Sequence, residues 1–358
     1  MKIILNARLL VLTAVVAFAI AACNTKTLST DSDQNPASQL SATPTDCRTI
    51  EHEAGETEVC GQPQRIVVLG SYVLEPLLAL DVQPIGYAEY VAFHQGDYTD
   101  PSQQIPYLGD LMAPPLANVG TASQPSIEAI IEAQPDLILA AEFINAGEYD
   151  TLSRIAPTLL LDYDEPEQSL SAIALATNRI EQADQLLTQT AQQLEEAQAI
   201  FASLAATHPK VALLSPSDLQ NIQVITNSAS HCGSLIEELG FQLVFPPGLN
   251  NDDSSPSAPI SLESLPQLND ADIVILLGYN FSDFKSLGSV DRFEEHQLSK
   301  LKQAWEENAI AQSLDASQAG RAYFIPGYLC AGLPGPIGTE LYLEELKEQL
   351  LSSHEGTD

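Results

Sequence analysis

Residues 125–140 read Pro125-Ser-Ile-Glu-Ala-Ile-Ile-Glu-Ala-Gln-Pro-Asp-Leu-Ile-Leu-Ala, and residues 260–277 read Ile260-Ser-Leu-Glu-Ser-Leu-Pro-Gln-Leu-Asn-Asp-Ala-Asp-Ile-Val-Ile-Leu-Leu. Each stretch has a Ser placed to cap a helix, a Glu two residues on, a short apolar helix, an Asp, and then a continuous apolar strand. Strands that are apolar throughout, rather than alternating, belong to parallel sheets covered on both faces. Two copies at this separation predict two similar α/β lobes, since a solenoid needs several shorter repeats.

The flanking segments echo each other too. Arg65-Ile-Val-Val-Leu-Gly predicts a buried strand, followed by a helix through Glu75-Pro-Leu-Leu-Ala-Leu and a strand at Pro84-Ile-Gly-Tyr. Lys210-Val-Ala-Leu-Leu-Ser, Ser234-Leu-Ile-Glu-Glu-Leu-Gly and Phe241-Gln-Leu-Val-Phe repeat that order. Between the halves, Glu167 to Ala206 contains neither Gly nor Pro, and Ala183, Leu186, Leu187, Leu194, Ala197, Phe201 and Leu204 recur at helical spacing. The spacing predicts one long connecting helix over 167–206, which holds the lobes at a nearly fixed separation where a Gly/Ser linker would let them swing. The N-terminal lobe is expected over 46–166, with a leading hairpin, and the C-terminal lobe over 207–358.

The chain opens with Lys2 and Arg8 and is almost wholly apolar from Leu9 to Ala22. This pattern predicts an export signal over 1–22, too short for a comfortable membrane span. Ile20-Ala-Ala-Cys23 has the form of a lipoprotein box, so Cys23 is the expected lipidation site and mature N-terminus. Residues 23–45, rich in Ser, Thr, Asp, Gln and Pro, read as a flexible tether from lipid to body. The protein is therefore expected at the periplasmic or extracytoplasmic face of the cell membrane, lipid-anchored.

The 358 residues carry a formal net charge of -34 and are 45% apolar, enough for two cored lobes. Such acidity argues against a nucleic-acid partner, which needs a basic face to displace counterions. With Cys23 committed to lipid, four cysteines remain, and an even number in an oxidising compartment favours disulfides. Cys47 and Cys60 flank a segment that turns at Ala54-Gly55 and so can face each other across a hairpin, which leaves Cys232 with Cys330; three connectivities are formally open. No C-x-x-C or His pair at ligand spacing indicates a metal, and no Gly-x-Ser-x-Gly, phosphate loop or His-Glu-x-x-His indicates an enzyme. No catalytic residue, cofactor or metal is assigned, and a monomer is expected.

At this point the chain resembles a known family, the helical-backbone (class III) substrate-binding lipoproteins of ABC importers for iron-siderophore complexes, whose relatives bind haem or cobalamin. The resemblance rests on Pro63-Gln-Arg-Ile-Val-Val-Leu, Leu74-Glu-Pro-Leu-Leu-Ala-Leu-Asp-Val-Gln-Pro-Ile-Gly, Val119-Gly, Pro125-Ser-Ile-Glu, Gln134-Pro-Asp-Leu-Ile-Leu, Ile155-Ala-Pro-Thr, Ala271-Asp-Ile-Val-Ile and Arg321-Ala-Tyr-Phe-Ile-Pro, in the family's order. It implies capture of a ferric siderophore between the lobes, iron entering only as part of the chelate, and delivery to an ABC permease dimer. It also implies one permease-docking acid per lobe, expected at Glu75 and at Glu237 or its neighbour Glu238.

A cleft for such a chelate needs flat aromatic surface and donors or cations for its oxygens, gathered on loops at the carboxyl ends of parallel strands. Tyr87, Tyr90, Phe93 and His94 follow one predicted strand and Glu142 and Phe143 another. Tyr279, Asn280 and Phe281 follow a third, with Arg292, Trp305 and Tyr328 beyond. The ligand set is therefore expected among Tyr87, Tyr90, Phe93, His94, Tyr279, Arg292, Trp305 and Tyr328. Cations are scarce, Arg292, Arg154 and Arg321 being those at hand, which favours a neutral or weakly charged chelate of hydroxamate type over a trianionic one. Haem or cobalamin capture on the same scaffold, or a lipoprotein that uses it for signalling or attachment, are the other readings.

Overall fold

The computed structural model describes residues 46–91, 93–226, 230–249, 257–282 and 289–352, the last without the Ser352 side chain. The signal, Cys23 and the tether lie outside the described residues. Within them no helix is long and apolar enough to cross a membrane.

The N-terminal lobe opens with the hairpin β1 (Cys47–His52) and β2 (Gly55–Cys60), in register from Cys47 opposite Cys60 to His52 opposite Gly55. Gly55 turns it at φ 113°, a conformation that disfavours a side chain. There follow β3 (Ile66–Leu69), α1 (Ser71–Ala79), β4 (Gly86–Glu89), β5 (Ala117–Thr121), β6 (Gln124–Pro125), α2 (Ile127–Ala133), β7 (Leu137–Ala141) and β8 (Thr158–Leu161). The sheet order is β6-β5-β4-β3-β7-β8, with every pairing parallel except β5 with β6.

Two helices follow, α3 (Pro166–Thr177) and α4 (Ile180–Thr207). The C-terminal lobe contains β9 (Lys210–Asp218), β10 (Asn221–Ile225), α5 (His231–Glu238), β11 (Gln242–Leu243), β12 (Ser257–Ile260), β13 (Ile273–Gly278), α6 (Phe293–Glu307), β14 (Ala322–Pro326) and α7 (Pro336–Ser352). Its sheet runs β12-β10-β9-β13-β14, with β11 pairing the start of β9. Here β11, β13 and β14 run parallel to their neighbours, while β10 folds back antiparallel on β9 and pairs β12 antiparallel.

The repeat is structural: β3, β7 and β8 correspond in order and direction to β9, β13 and β14. Every residue of β3, β7 and β13 is buried, as their apolar runs require. The repeated Asp joins the starts of adjacent strands. Asp136 accepts the backbone N–H groups of Gln64 and Arg65, both at 2.8 Å, and Asp272 accepts that of Lys210 at 3.0 Å. Ser126 caps α2 through the Ala129 N–H. In the second copy Pro266, which lacks a backbone donor, leaves Leu262–Leu268 as a 3-10 turn where a helix is expected.

The predicted single helix over 167–206 is corrected: it breaks at Asn178, which turns left-handed at φ 60°. Asn tolerates that conformation, so the break needs neither Gly nor Pro. α3 belongs to the N-terminal lobe, where Leu170, Ile173, Ala174 and Ala176 join the core beside α1. The connector is the 28-residue α4, about 42 Å long at 1.5 Å per residue. Its Ala183 packs in the N-terminal core and its Ala197, Phe201, Leu204 and Ala205 in the C-terminal one.

Candidate functional site

The carboxyl ends of the parallel strands of the two lobes meet around a cavity of about 240 Å³. Its wall takes Tyr72 from the start of α1 and Tyr90 from the end of β4. From the other lobe come Ile225, Cys232, Tyr279, Phe281, Gln297, Tyr328 and Gly332. The Tyr90 ring crosses to Phe281 with centroids 5.6 Å apart, and Phe281 meets Tyr279 at 5.2 Å. Tyr72 stands at the centre of the N-terminal cluster, edge-on to Tyr90 at 5.7 Å, Phe143 at 5.1 Å and Tyr163 at 5.2 Å. Phe143 and Phe281 are 50% and 48% exposed, a large apolar area to leave in water unless something covers it.

These aromatic groups are held in place. Gln297, on α6, accepts the Asn280 N–H at 2.8 Å and donates to the Asn280 carbonyl at 3.2 Å, which fixes the loop carrying Tyr279 and Phe281. Beneath the floor lies the buried carboxyl of Glu89, accepting the Tyr90 N–H at 2.7 Å. Burial pushes Glu89 up to about 7, eased by that N–H and by the hydroxyls of Tyr87 and Tyr328, which face the carboxylate without closing well-formed hydrogen bonds. Three side chains of the N-terminal lobe grip the backbone of the opposite segment. The Ser71 hydroxyl donates to the Gly332 carbonyl and that of Tyr163 to the Ala331 carbonyl, both at 2.9 Å, and Glu75 accepts the Ile337 N–H at 2.6 Å.

Of the residues expected at the site, the structure brings together Tyr90, Tyr279 and Tyr328. Tyr87 is 0% exposed in the core, because it sits on the inner face of β4 and not on the loop beyond it. Trp305 is 1% exposed on the inner face of α6, packed on Phe324 with its N–H on the Ser317 hydroxyl at 3.2 Å, so it does not reach the cavity. Arg292 points outward and pairs with Glu295 at 3.4 Å. Phe93 packs on Phe293 in the seam between the lobes, and His94 turns away toward the Asp97 carbonyl and Gln104. Arg321 bonds the Asp272 carbonyl at the far end of the sheet, and Arg154 is exposed. Among the described residues no Arg or Lys lines the cavity.

The docking acid expected at Glu75 is also corrected: Glu75 is 0% exposed and closes the start of α7, where the backbone N–H groups of Ile337, Gly338 and Gly335 stabilise it. Glu237 and Glu238 lie exposed on α5. Tyr72, Tyr163 and Gln297 were not among the expected residues. The first two obey the same strand-end rule, applied after β3 and β8; nothing in the sequence marks Gln297.

The four cysteines are joined as Cys47–Cys60 and Cys232–Cys330. Among the described residues one group of Cys, His and carboxylate side chains is close enough to hold a metal, Cys47, Glu58 and Cys60, and its sulfurs are spent in the disulfide.

Two α/β lobes on a helical connector, with an aromatic cavity between facing strand ends, define a solute-binding protein. The chain belongs to the periplasmic binding protein family, which it matches over residues 66–329. It is 30% identical over 278 residues to the Fe(3+) dicitrate-binding periplasmic protein FecB of Escherichia coli, covering 76% of this chain and 84% of that protein. It is 26% identical over 310 residues to the putative ABC transporter substrate-binding lipoprotein YhfQ of Bacillus subtilis, covering 84% and 88%. Among solved structures, Staphylococcus aureus SirA complexed with staphyloferrin B superposes with a TM-score of 0.65 at 22% identity, covering 85% of this chain and 98% of that one.

Proposed function

We propose that this protein captures a ferric siderophore in the interlobe cavity and delivers it to an ABC importer, held at the extracytoplasmic membrane face by lipid on Cys23. The observation that carries the reading is the aromatic cavity where the strand ends of both lobes meet, with Phe281 half exposed at its rim. The Fe(3+) dicitrate named for FecB and the staphyloferrin B named for SirA support it, as does the lipoprotein relative. The iron is cargo held by its chelator. Among the described residues no Arg or Lys lines the wall, which favours a chelate of low negative charge, as in the hydroxamates, since burying a trianion without a partner is costly.

The test is a titration of the protein's tyrosine fluorescence with ferric hydroxamate, catecholate and citrate complexes, haem and cobalamin. Quenching strongest with the hydroxamate supports the reading; indifference to the whole panel sinks it. His94 is bound elsewhere, which weighs against a haem pocket built on it.

The docking acids are better sought where the repeat places one on each lobe, at exposed Glu128 and Glu263. Equivalent positions on twin lobes suit a permease dimer of matching symmetry. Glu128→Arg with Glu263→Arg should abolish uptake and leave chelate binding intact; unimpaired uptake returns the role to Glu237.

A further inference from the structure

The Cys232–Cys330 bond lies in the cavity wall. Cys232, in the first turn of α5, lines the cavity, and Cys330 sits in the turn after β14, between Tyr328 and the lining residues Ala331 and Gly332. The bond thus joins two walls that approach from separate strand ends, 98 residues apart in sequence. One wall is Ile225, Ser230 and Cys232; the other is Gly327, Tyr328, Ala331 and Gly332. The second wall is also the segment that the N-terminal lobe grips through Ser71 and Tyr163. Without the disulfide, the first wall keeps its place through the packing of α5 and the pairing of Ile225 with Ser257 on β12, and no covalent link ties it to the second. The other pair, Cys47–Cys60, is exposed on the leading hairpin and touches none of this.

We propose that the Cys232–Cys330 disulfide positions the ligand site and sets its affinity, so that the oxidised protein binds its chelate and the dithiol form binds it more weakly. The inference deepens the reading of the cavity as the chelate site and rests on it. Reduction takes two electrons and two protons from a dithiol: its thiolate attacks one sulfur, the Cys232–Cys330 bond breaks through a mixed disulfide, and two cysteine thiols and the oxidised reagent remain. Linkage makes the effect reciprocal. If the bond raises affinity by a factor, a bound chelate makes the bond harder to reduce by the same factor.

The experiment uses the full chain in mild detergent, with Cys47→Ser and Cys60→Ser so that one internal disulfide remains, and with ferric desferrioxamine B as probe. The expected result is about tenfold weaker probe binding after reduction by dithiothreitol. In a dithiothreitol redox buffer, saturating probe should move the midpoint about 30 mV more negative, which is tenfold for a two-electron couple. Hydrogen exchange without any ligand supplies an independent arm. Protection should fall at Ile225, Ser230 to Leu235 and Gly327 to Gly332 and hold elsewhere in the lobe. Equal affinity in both redox states, or loss of protection spread evenly through the lobe, overturns the proposal. If no chelate binds the oxidised protein, the siderophore reading fails, and the exchange pattern alone decides whether the bond shapes the cavity.

Discussion

Glu75 shows how a single side chain changes meaning when its surroundings are known. In sequence it is an acid on an early helix; in the fold it lies 262 positions from its partner Ile337 and closes the start of α7. Burial pushes its carboxyl from the ordinary 4.5 up to about 7, against the pull of three backbone N–H groups. The raised value means the folded state keeps a proton that the unfolded chain has lost between pH 4.5 and 7. This contribution is therefore full below 4.5 and is lost as pH rises through about 7. Glu75→Gln, which keeps an acceptor and removes the charge, should flatten that slope by an amount on the order of 3 kcal/mol, read from urea unfolding at pH 5 and pH 8. Glu89, raised for the same reason, keeps its own share of the slope. An unchanged slope in the variant would mean that Glu75 is not the group being titrated.

Tyr72 makes the complementary case. It touches three other rings and lines the cavity. Tyr72→Ala should weaken chelate binding at least tenfold, about 1.4 kcal/mol, while Tyr72→Phe keeps most of it. Fluorescence titration of both variants decides; equal affinity in Tyr72→Ala and the parent would place the ligand elsewhere.

At the scale of elements, the two disulfides do different work. Cys47–Cys60 joins positions 13 apart in sequence at one edge of the N-terminal lobe, where Ile50 and Val59 of the hairpin enter the core. Cys47→Ser with Cys60→Ser should cost about 2–3 kcal/mol in chemical denaturation and leave chelate affinity unchanged. A large loss of affinity would tie the hairpin to the site. The helix break at Asn178 belongs to this scale as well. The apolar period runs through it unbroken, so only the lack of a left-handed turn in the pattern stood against it, and Asn supplies that turn without a conspicuous sequence mark.

For the whole molecule, several separate attachments join the lobes among the described residues. They include α4, the grip of Ser71, Tyr163 and Glu75 on 331–337, and an aromatic seam in which Phe293 meets Phe93 at 5.3 Å and Tyr107 stacks on Tyr328 at 5.8 Å. Closure about a single hinge would have to break at least one of them. X-ray scattering profiles with and without bound chelate should therefore nearly superimpose, and a marked compaction would contradict this picture.

The sequence by itself determined the twin α/β plan, the buried parallel strands and the rule that aromatic groups gather beyond strand ends, because these follow from periodicity and capping within a few residues. Tertiary structure decided which faces point where. It sent Tyr87 and Trp305 into the core, turned Arg292 outward, hid Glu75 beneath α7 and brought Tyr72 and Gln297 to the cavity. Those outcomes depend on contacts between residues far apart in the chain, where burial of one side chain is settled only by the packing of another, and no local pattern records that.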